Sequence, residues 1–152
     1  MEKMLIMLCG LPRSGKSTHA RSCPYPIVNA DSVRLAFHGH KFIPVAEPWV
    51  WAFTKLMVRA LFLAGHDKVI LDSTNIDKRR RDEWISRSWT RKVIVFDVSK
   101  ETCITRAGND LEIIPIIERM SSEYQEPTTD EGFIEIIKFS EDSQNPEKRE
   151  LL

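Results

Sequence analysis

The chain has 152 residues, of which 42% are hydrophobic, so it can bury the core of one ordinary domain. Its 22 basic and 22 acidic residues cancel, which argues against a protein that coats nucleic acid by bulk charge. The three cysteines are an odd number and form no CxxC pair, which favours reduced thiols in the cytoplasm over a disulfide framework. The most apolar long segment, residues 49–64, contains Lys55 and Arg59, so it predicts an amphipathic helix and no membrane span.

Short apolar runs alternate with helical patterns along the chain. The predicted strands are residues 4–9, 26–30, 68–72, 92–98 and 133–139, the last with the partial alternation of an edge strand. The predicted helices are one that opens at Ser17, then residues 32–38, 48–64, 78–89, 100–107 and 115–124. This alternation predicts a three-layer α/β fold in which helices flank a mainly parallel sheet. We expect a single domain over residues 1–140 and a polar, flexible tail over residues 141–152.

Residues 10–18 match the phosphate-binding pattern GxxxxGK(S/T) in full, between a buried strand and the start of a helix. Glycines allow a tight turn in which main-chain N–H groups point at phosphate oxygens, and the helix N-terminus adds positive potential. In this pattern Lys16 supplies a charge to the β- and γ-phosphates, and Ser17 supplies a hydroxyl ligand for Mg²⁺. The predicted nucleotide-binding residues are Gly10, Leu11, Pro12, Arg13, Ser14, Gly15, Lys16, Ser17 and Thr18.

Other features separate the classes of protein that carry such a loop. The chain has no NKxD motif for guanine recognition, which argues against a GTPase. Asp72 ends the predicted strand 68–72, and Ser73 stands where motor ATPases usually place a glutamate. A kinase needs an acid to orient the acceptor hydroxyl and cations around the transferred phosphoryl group. Such an acid is expected in the segments that follow the predicted strands.

Asp31 is the best candidate for the acid, because it follows a predicted strand and lies at the sheet edge where α/β proteins bind ligands. Arg34 lies one helical turn later on the same face, in place to hold a phosphate of the acceptor. The alternative interpretation is that Asp31 only caps the helix 32–38 and that Arg34 is a solvated surface charge. Asp72 lies where P-loop proteins place a carboxylate near Mg²⁺ or the acceptor, and Thr74 follows in the same turn.

The stretch 78–92 concentrates basic residues in one part of the chain, namely Lys78, Arg79, Arg80, Arg81, Arg87, Arg91 and Lys92. As a group they indicate a basic wall for a nucleic-acid strand or for the phosphates of ATP. For any single residue, a solvated helix with acidic partners is the simpler interpretation. Trp49 and Trp51 begin an apolar helix, and this position favours a core role over stacking on a base.

Four segments resemble the kinase domains of phage polynucleotide kinases and their P-loop relatives: GLPRSGKST, NADSVR, LDSTNIDKRRRDEW and IPIIERMSSEYQEPTTDEGF. That family carries the phosphate loop, a D-x-x-R motif after the second strand, a Thr-Asn turn after the third and an arginine-rich helix. Its lid bears arginine, and a later helix contains proline and an Arg-Met pair. The resemblance covers nearly the whole chain and implies a P-loop kinase fold with a small helical lid.

The resemblance implies Mg²⁺-dependent transfer of the ATP γ-phosphoryl group to the 5′-hydroxyl end of DNA or RNA, in a phage-like repair setting. Asp31 would be the general base, and Arg34 would hold the phosphate next to that end. The lid would contribute Arg106, which would reach the ATP phosphates. The residues that would border the acceptor are Asp72, Ser73 and Thr74.

Two departures from this family leave the acceptor open. Ser73 directly precedes the Thr-Asn pair where the phage enzymes have aspartate, and the relatives that match this turn better do not all act on nucleic acid. The lid arginine is followed by Gly108, Asn109 and Asp110, so a second lid cation must come from elsewhere. The alternatives are a kinase of a nucleoside, sugar or antibiotic, and a nucleotide-binding ATPase or switch without an acceptor.

Overall fold

Within the part of the chain that the structure describes, five strands form one sheet at the centre of the fold. The computed structural model describes residues 1–39 and 42–141. The strands are β1 (Met4–Cys9), β2 (Ile27–Asn29), β3 (Lys68–Asp72), β4 (Thr90–Asp97) and β5 (Glu135–Ser140). Their order is β2-β3-β1-β4-β5, and every neighbouring pair is parallel. The predicted α/β sheet is confirmed, with β1 at its centre and the last strand at an edge.

Helices cover both faces of the sheet, as alternating side chains on β1 require. Leu5 and Met7 point to one face, where they pack with Val58 of the long helix α3. Ile6 and Leu8 point to the opposite face, in the cluster that contains Ala20 of α1. The helices are α1 (Lys16–Ser22), α2 (Ala30–His38), α3 (Glu47–Leu63), α4 (Lys78–Asp82), α5 (Lys100–Ala107) and α6 (Ile113–Glu123). The fold is therefore the three-layer arrangement that the sequence predicts.

Most helices differ from their predicted bounds by one or two residues, and α4 differs most. The helix predicted over 78–89 ends at Asp82, because the chain then turns to bury Trp84 and Trp89. The Trp89 indole N–H donates to the carbonyl of Trp84 at 3.1 Å, which holds this turn. Helix α6 begins at Ile113, two residues before the expected start at Pro115, since proline is tolerated in the first turn, where backbone N–H groups lack helical partners.

The parallel strands all end at one edge of the sheet, so the segments that follow them meet there. The phosphate loop follows β1, and Asn29 ends β2 directly before α2. The turn at residues 73–77 follows β3, and α5 with α6 forms the helical part after β4. Within the described ranges no helix combines the length and apolarity needed to cross a bilayer. The predicted tail lies, from residue 142 onward, outside the described residues.

Candidate active site

A groove of about 2100 Å³ lies along the carboxyl edge of the sheet. The predicted site residues that line it are Pro12, Arg13, Gly15, Lys16, Ser17, Thr18, Asp31, Arg34, Asp72, Ser73, Thr74 and Arg106. The other three predicted residues, Gly10, Leu11 and Ser14, are buried beneath the phosphate loop. The structure thus brings the predicted nucleotide and acceptor residues to one surface.

The phosphate loop depends on two glycines. A Cβ atom on Gly10 would lie 2.9 Å from Ser14 Oγ and 3.0 Å from the carbonyl oxygen of Phe96, so no larger residue fits. Gly15 precedes α1 with a φ of 103°, in the left-handed region that favours glycine. The Gly10 N–H donates to the carbonyl of Thr74 at 2.9 Å, which ties the loop to the turn after β3. These contacts hold the loop backbone in a tight turn.

Lys16 is a buried cation at the base of this loop. Its Nζ atom donates to the carbonyl oxygen of Leu11 at 2.7 Å and to Ser14 Oγ at 3.3 Å. Burial lowers the pKa of Lys16 to about 8, while the charge of Asp72 acts in the opposite direction. A phosphate is a stronger hydrogen-bond partner for an ammonium group than a carbonyl oxygen is. An incoming phosphate can therefore replace the Leu11 carbonyl as the partner of Lys16.

Ser17 and Asp72 bring two oxygen ligands together. Ser17 Oγ donates to Asp72 Oδ2 at 2.8 Å, and Asn29 Nδ2 donates to the same oxygen at 3.1 Å. Hydroxyl and carboxylate oxygens are ligands that Mg²⁺ accepts, and Mg²⁺ usually takes only one or two from the protein beside substrate phosphates and waters. No group of three or more His, Cys, Asp or Glu suited to a metal occurs among residues 1–39 and 42–141. The pair therefore fits Mg²⁺ held together with a nucleotide.

Arg34 joins two carboxylates at the other part of the groove. Its Nη1 donates to Asp31 Oδ1 at 2.7 Å, and its Nε donates to Glu47 Oε2 at 2.9 Å. Its Nη2 donates to the second oxygen of Glu47, so the Arg34–Glu47 pair is bidentate. These bonds raise the pKa of Arg34, with the hydrogen bond to Glu47 as the main cause. The Glu47 side chain is only 9% exposed, so its bidentate pair holds Arg34 in place. The Asp31 side chain is 75% exposed, so the carboxylate that Arg34 orients is accessible from the groove.

The interpretation of Asp31 as a helix cap is wrong. Helix α2 begins at Ala30, and the side chain of Asn29 accepts the N–H of Ser32 at 3.0 Å. Asp31 therefore lies inside the first helical turn, and its carboxylate is not needed for capping. Arg34 is 15% exposed at its side chain and ion-paired, so it is not a solvated surface charge either.

The lid arginine lies above the phosphate loop. Arg106 Nη1 donates to the carbonyl oxygen of Arg13 at 3.2 Å, and Arg13 pairs with Asp110 at 3.1 Å. Both contacts fasten the end of α5 to the loop. Arg119 of α6 also lines the groove, in the helix where the sequence shows the Arg-Met pair. Arg119 thus places a second guanidinium group on the lid side of the groove. It comes from α6 and not from the residues that directly follow Arg106.

Residues 5–109 match the family described as AAA domain, which is more than half of the chain. The chain belongs to this AAA domain family. A chain in the structure of the Pnkp1/Rnl/Hen1 complex is 30% identical with a TM-score of 0.61, and the match covers 69% of this chain and 39% of that chain. This chain thus spans about two fifths of that relative. No curated protein matches the chain significantly.

Two kinase structures match over nearly their whole length. A sugar kinase from Janibacter sp. HTCC2649 is 18% identical with a TM-score of 0.65, and the match covers 100% of this chain and 93% of that one. The APS kinase CysC of Mycobacterium tuberculosis, in complex with AMPPNP and APS, is 14% identical with a TM-score of 0.58, covering 99% and 95%. These matches confirm the predicted P-loop kinase fold. This member of the AAA domain family therefore shares the fold of these structures.

The basic wall predicted for this AAA domain over residues 78–92 is wrong for two of its members. Arg81 is fully buried and makes a bidentate pair with Glu131 at 2.8 and 2.9 Å. Arg91 is buried beside it and donates to the carbonyl of Arg81 at 2.8 Å. Within the stretch, Arg79 and Arg80 line the groove. Four of the five arginines therefore divide into a structural pair and a pair that faces the site, while Arg87 is exposed and does not line the groove.

Sequence analysis missed several residues that shape the site. Asn29 binds Asp72 and caps α2, and an asparagine directly before a helix start is the signal that identifies it. Asn75, by contrast, belongs to the Thr-Asn turn that the sequence indicates, as a residue that contacts phosphate or holds the loop. It is buried in the left-handed region, and its Nδ2 donates to the carbonyl of Leu8 at 2.7 Å, which anchors the turn after β3. Glu47 lies 13 residues from Arg34, and no local pattern indicates their contact.

Proposed function

We propose that this chain is an ATP-dependent polynucleotide kinase that transfers the γ-phosphoryl group of ATP to the 5′-hydroxyl end of DNA or RNA. One observation carries the proposal. The accessible carboxylate of Asp31, oriented by Arg34, lines the same groove as the buried Lys16 of the phosphate loop. An acid and a phosphate-binding cation in one groove are the two parts that phosphoryl transfer requires.

The nucleotide half of the groove is built from the phosphate loop. The loop N–H groups and the Lys16 ammonium bind the phosphates, and Arg106 stands over the loop to approach them from the lid side. Ser17 and Asp72 would hold Mg²⁺ through the oxygens that now share a hydrogen bond. Bound Mg²⁺ neutralises charge on the β- and γ-phosphates. The protein therefore contributes position and positive charge.

The acceptor half centres on Asp31. One of its oxygens accepts from Arg34, which leaves the other to accept the proton of an incoming hydroxyl group. As that proton moves to the carboxylate, the hydroxyl oxygen forms a bond to the γ-phosphorus and the bond from this phosphorus to the β-γ bridging oxygen breaks. ADP leaves with the electron pair, and the proton on Asp31 passes to solvent. Ser73 and Thr74 line the same groove, and in this proposal they border the acceptor.

The size of the groove supports a large acceptor. Pockets for one small ligand usually measure about 300–1000 Å³, and this groove has about 2100 Å³. Four guanidinium groups line it besides Arg34 and Arg13, and they come from α4, α5 and α6: Arg79, Arg80, Arg106 and Arg119. Guanidinium groups are the side chains best suited to phosphate oxygens. Among the described residues the groove is also lined by seven carboxylates, those of Asp31, Glu47, Asp72, Asp77, Asp110, Glu112 and Glu123. The arginines therefore provide local cationic positions, which a polyanion held beside ATP would use.

A kinase of a small molecule is the second candidate. The observation that favours it is the match to a sugar kinase over 100% of this chain and 93% of that chain. In this case the ATP half of the groove is unchanged, and only the surroundings of Asp31 and Arg34 determine the acceptor. The two candidates therefore differ in the acceptor alone.

Label transfer from γ-labelled ATP separates these candidates. The protein is given an oligonucleotide with a 5′-hydroxyl, the same oligonucleotide with a 5′-phosphate, a panel of nucleosides and sugars, or no acceptor. We expect label at the 5′-hydroxyl oligonucleotide and none at its 5′-phosphorylated control. Label on nucleosides or sugars alone would replace the proposal by the second candidate. Release of inorganic phosphate with every mixture and no labelled acceptor would show an ATPase.

A further inference from the structure

Trp51 of α3 connects the hydrophobic core with the groove. Its ring packs against the buried cluster of Ala30, Val33 and Val50, and the same residue lines the groove. The sequence-based prediction of a core role is therefore only partly right for Trp51, and it is wrong for Trp49, which is exposed. The indole is a fixed platform, because one side of it is packed against the protein interior.

Two arginines lie over this indole. The guanidinium carbon of Arg80 is 4.8 Å from the ring centroid, and that of Arg34 is 5.9 Å from it. Both distances are within the range of about 6 Å for cation–π attraction, which holds a guanidinium plane without using its N–H donors. The sequence separates Arg80 from Arg34 by 46 positions, and the ring brings both to the groove that Asp31 also lines.

The two arginines differ in how far their charge is neutralised. Arg34 is shared between Asp31 and Glu47, so these three side chains have a net formal charge of −1. A phosphate placed against this trio alone would meet a net negative charge. For Arg80 the nearest carboxylate oxygen among the described residues is Glu83 Oε2 at 3.8 Å, and the Arg80 side chain is 32% exposed. Of the two arginines on the Trp51 ring, Arg80 is therefore the one whose positive charge is less neutralised by carboxylates and can attract a phosphate.

We propose that Arg80, held on Trp51, binds a backbone phosphate of the acceptor and makes the enzyme select phosphodiester-linked acceptors over free nucleosides. This inference rests on the proposed function, and it assigns a specificity-determining residue at the same site. Arg80 supplies the positive charge that the Arg34 trio lacks, and its planar donors suit phosphate oxygens. The site thus reads the charge of the strand and not the identity of its bases.

The test pairs one substitution in the protein with one in the strand. The Arg80→Ala variant and the wild type are assayed with a 5′-hydroxyl oligonucleotide and with the same strand carrying neutral methylphosphonates at its first two linkages. We expect the variant to raise KM for the natural strand about tenfold and to leave kcat within about twofold, as for a lost charge-assisted contact. For the neutral strand, KM should be equal in the two proteins within about twofold, because the partner phosphate is absent.

A matched control uses Arg87→Ala, which removes an exposed arginine that does not line the groove and should behave as wild type with both strands. The Arg80 main-chain N–H still reaches its cap acceptor on Asp77, so thermal unfolding should be close to that of the wild type. Equal KM increases with both strands, or no increase with either, would overturn the role of Arg80. If the wild type labels no oligonucleotide at all, the proposed function fails together with this inference.

Discussion

Ser17 and Asp72, 55 residues apart in sequence, share a hydrogen bond of 2.8 Å that joins the phosphate loop to the end of β3. The bond exists because β1 and β3 are parallel neighbours, so the segments after them begin side by side. Asn29, at the end of the next strand, donates to the same carboxylate oxygen. The ends of β1, β2 and β3 thus position Ser17 Oγ and Asp72 Oδ2, the two oxygen atoms that would bind Mg²⁺.

The role of the Ser17 hydroxyl predicts a change in Mg²⁺ requirement. Ser17→Ala removes a candidate metal ligand, so we expect the Mg²⁺ concentration for half-maximal ATP binding to rise about tenfold, as for a lost contact to a charged group. Ser17→Thr is the matched control, because it keeps the hydroxyl and still fits the loop pattern. Titrating Mg²⁺ at fixed ATP measures the effect, and identical curves for the alanine and threonine variants would refute the assignment.

Thiol chemistry tests the packing under the phosphate loop. Cys9 ends β1 directly before Gly10, and burial raises its pKa to about 11. Because only the thiolate reacts, we expect native Cys9 to resist a thiol reagent between pH 8 and 10. Cys103 is likewise buried, whereas Cys23 is partly exposed and serves as the internal control. Mass mapping after a short treatment should find Cys23 modified first, and early modification of Cys9 would contradict the packing described for β1.

The buried pair of Arg81 and Glu131 predicts a large effect on stability. Glu131→Gln leaves the fully buried Arg81 without a countercharge, which we expect to lower the free energy of unfolding by about 3 kcal/mol. Glu83→Gln is the control, because Glu83 is exposed and its contacts to Arg79 and Arg80 are 3.7 and 3.8 Å long. That variant should lose less than about 1 kcal/mol. Urea unfolding measures both free energies. Equal losses in the two variants would show that the buried pair contributes no more to stability than an exposed one.

Local patterns predicted the parts of this molecule that depend on neighbouring residues. The phosphate loop is a contiguous motif, and buried parallel strands are continuous apolar runs, so β1, β3 and β4 could be located from the sequence. The D-x-x-R spacing likewise predicted that Asp31 and Arg34 share a helix face, since residues three apart do so, and the structure adds an ion pair between them. The assignment of catalytic roles to these residues stays a prediction.

Other features depend on contacts between distant segments and have no local signal. Glu47 reaches Arg34 from another helix, and Glu131 reaches Arg81 across 50 positions. A basic stretch does not show which of its arginines turn inward, so the burial of Arg81 could not be predicted. The meeting of Arg34 and Arg80 on Trp51 likewise requires three helices in their folded places.

The most direct test of the central claim is the turnover of the Asp31→Asn variant with a 5′-hydroxyl oligonucleotide. Arg34 keeps its bidentate pair with Glu47 in this variant, and the phosphate loop is untouched, so ATP binding should stay close to that of the wild type. We expect kcat to fall by about 10² or more, the scale for a lost general base. Wild-type turnover in a variant that binds ATP normally would contradict the account, because the hydroxyl proton would then need no carboxylate at this position.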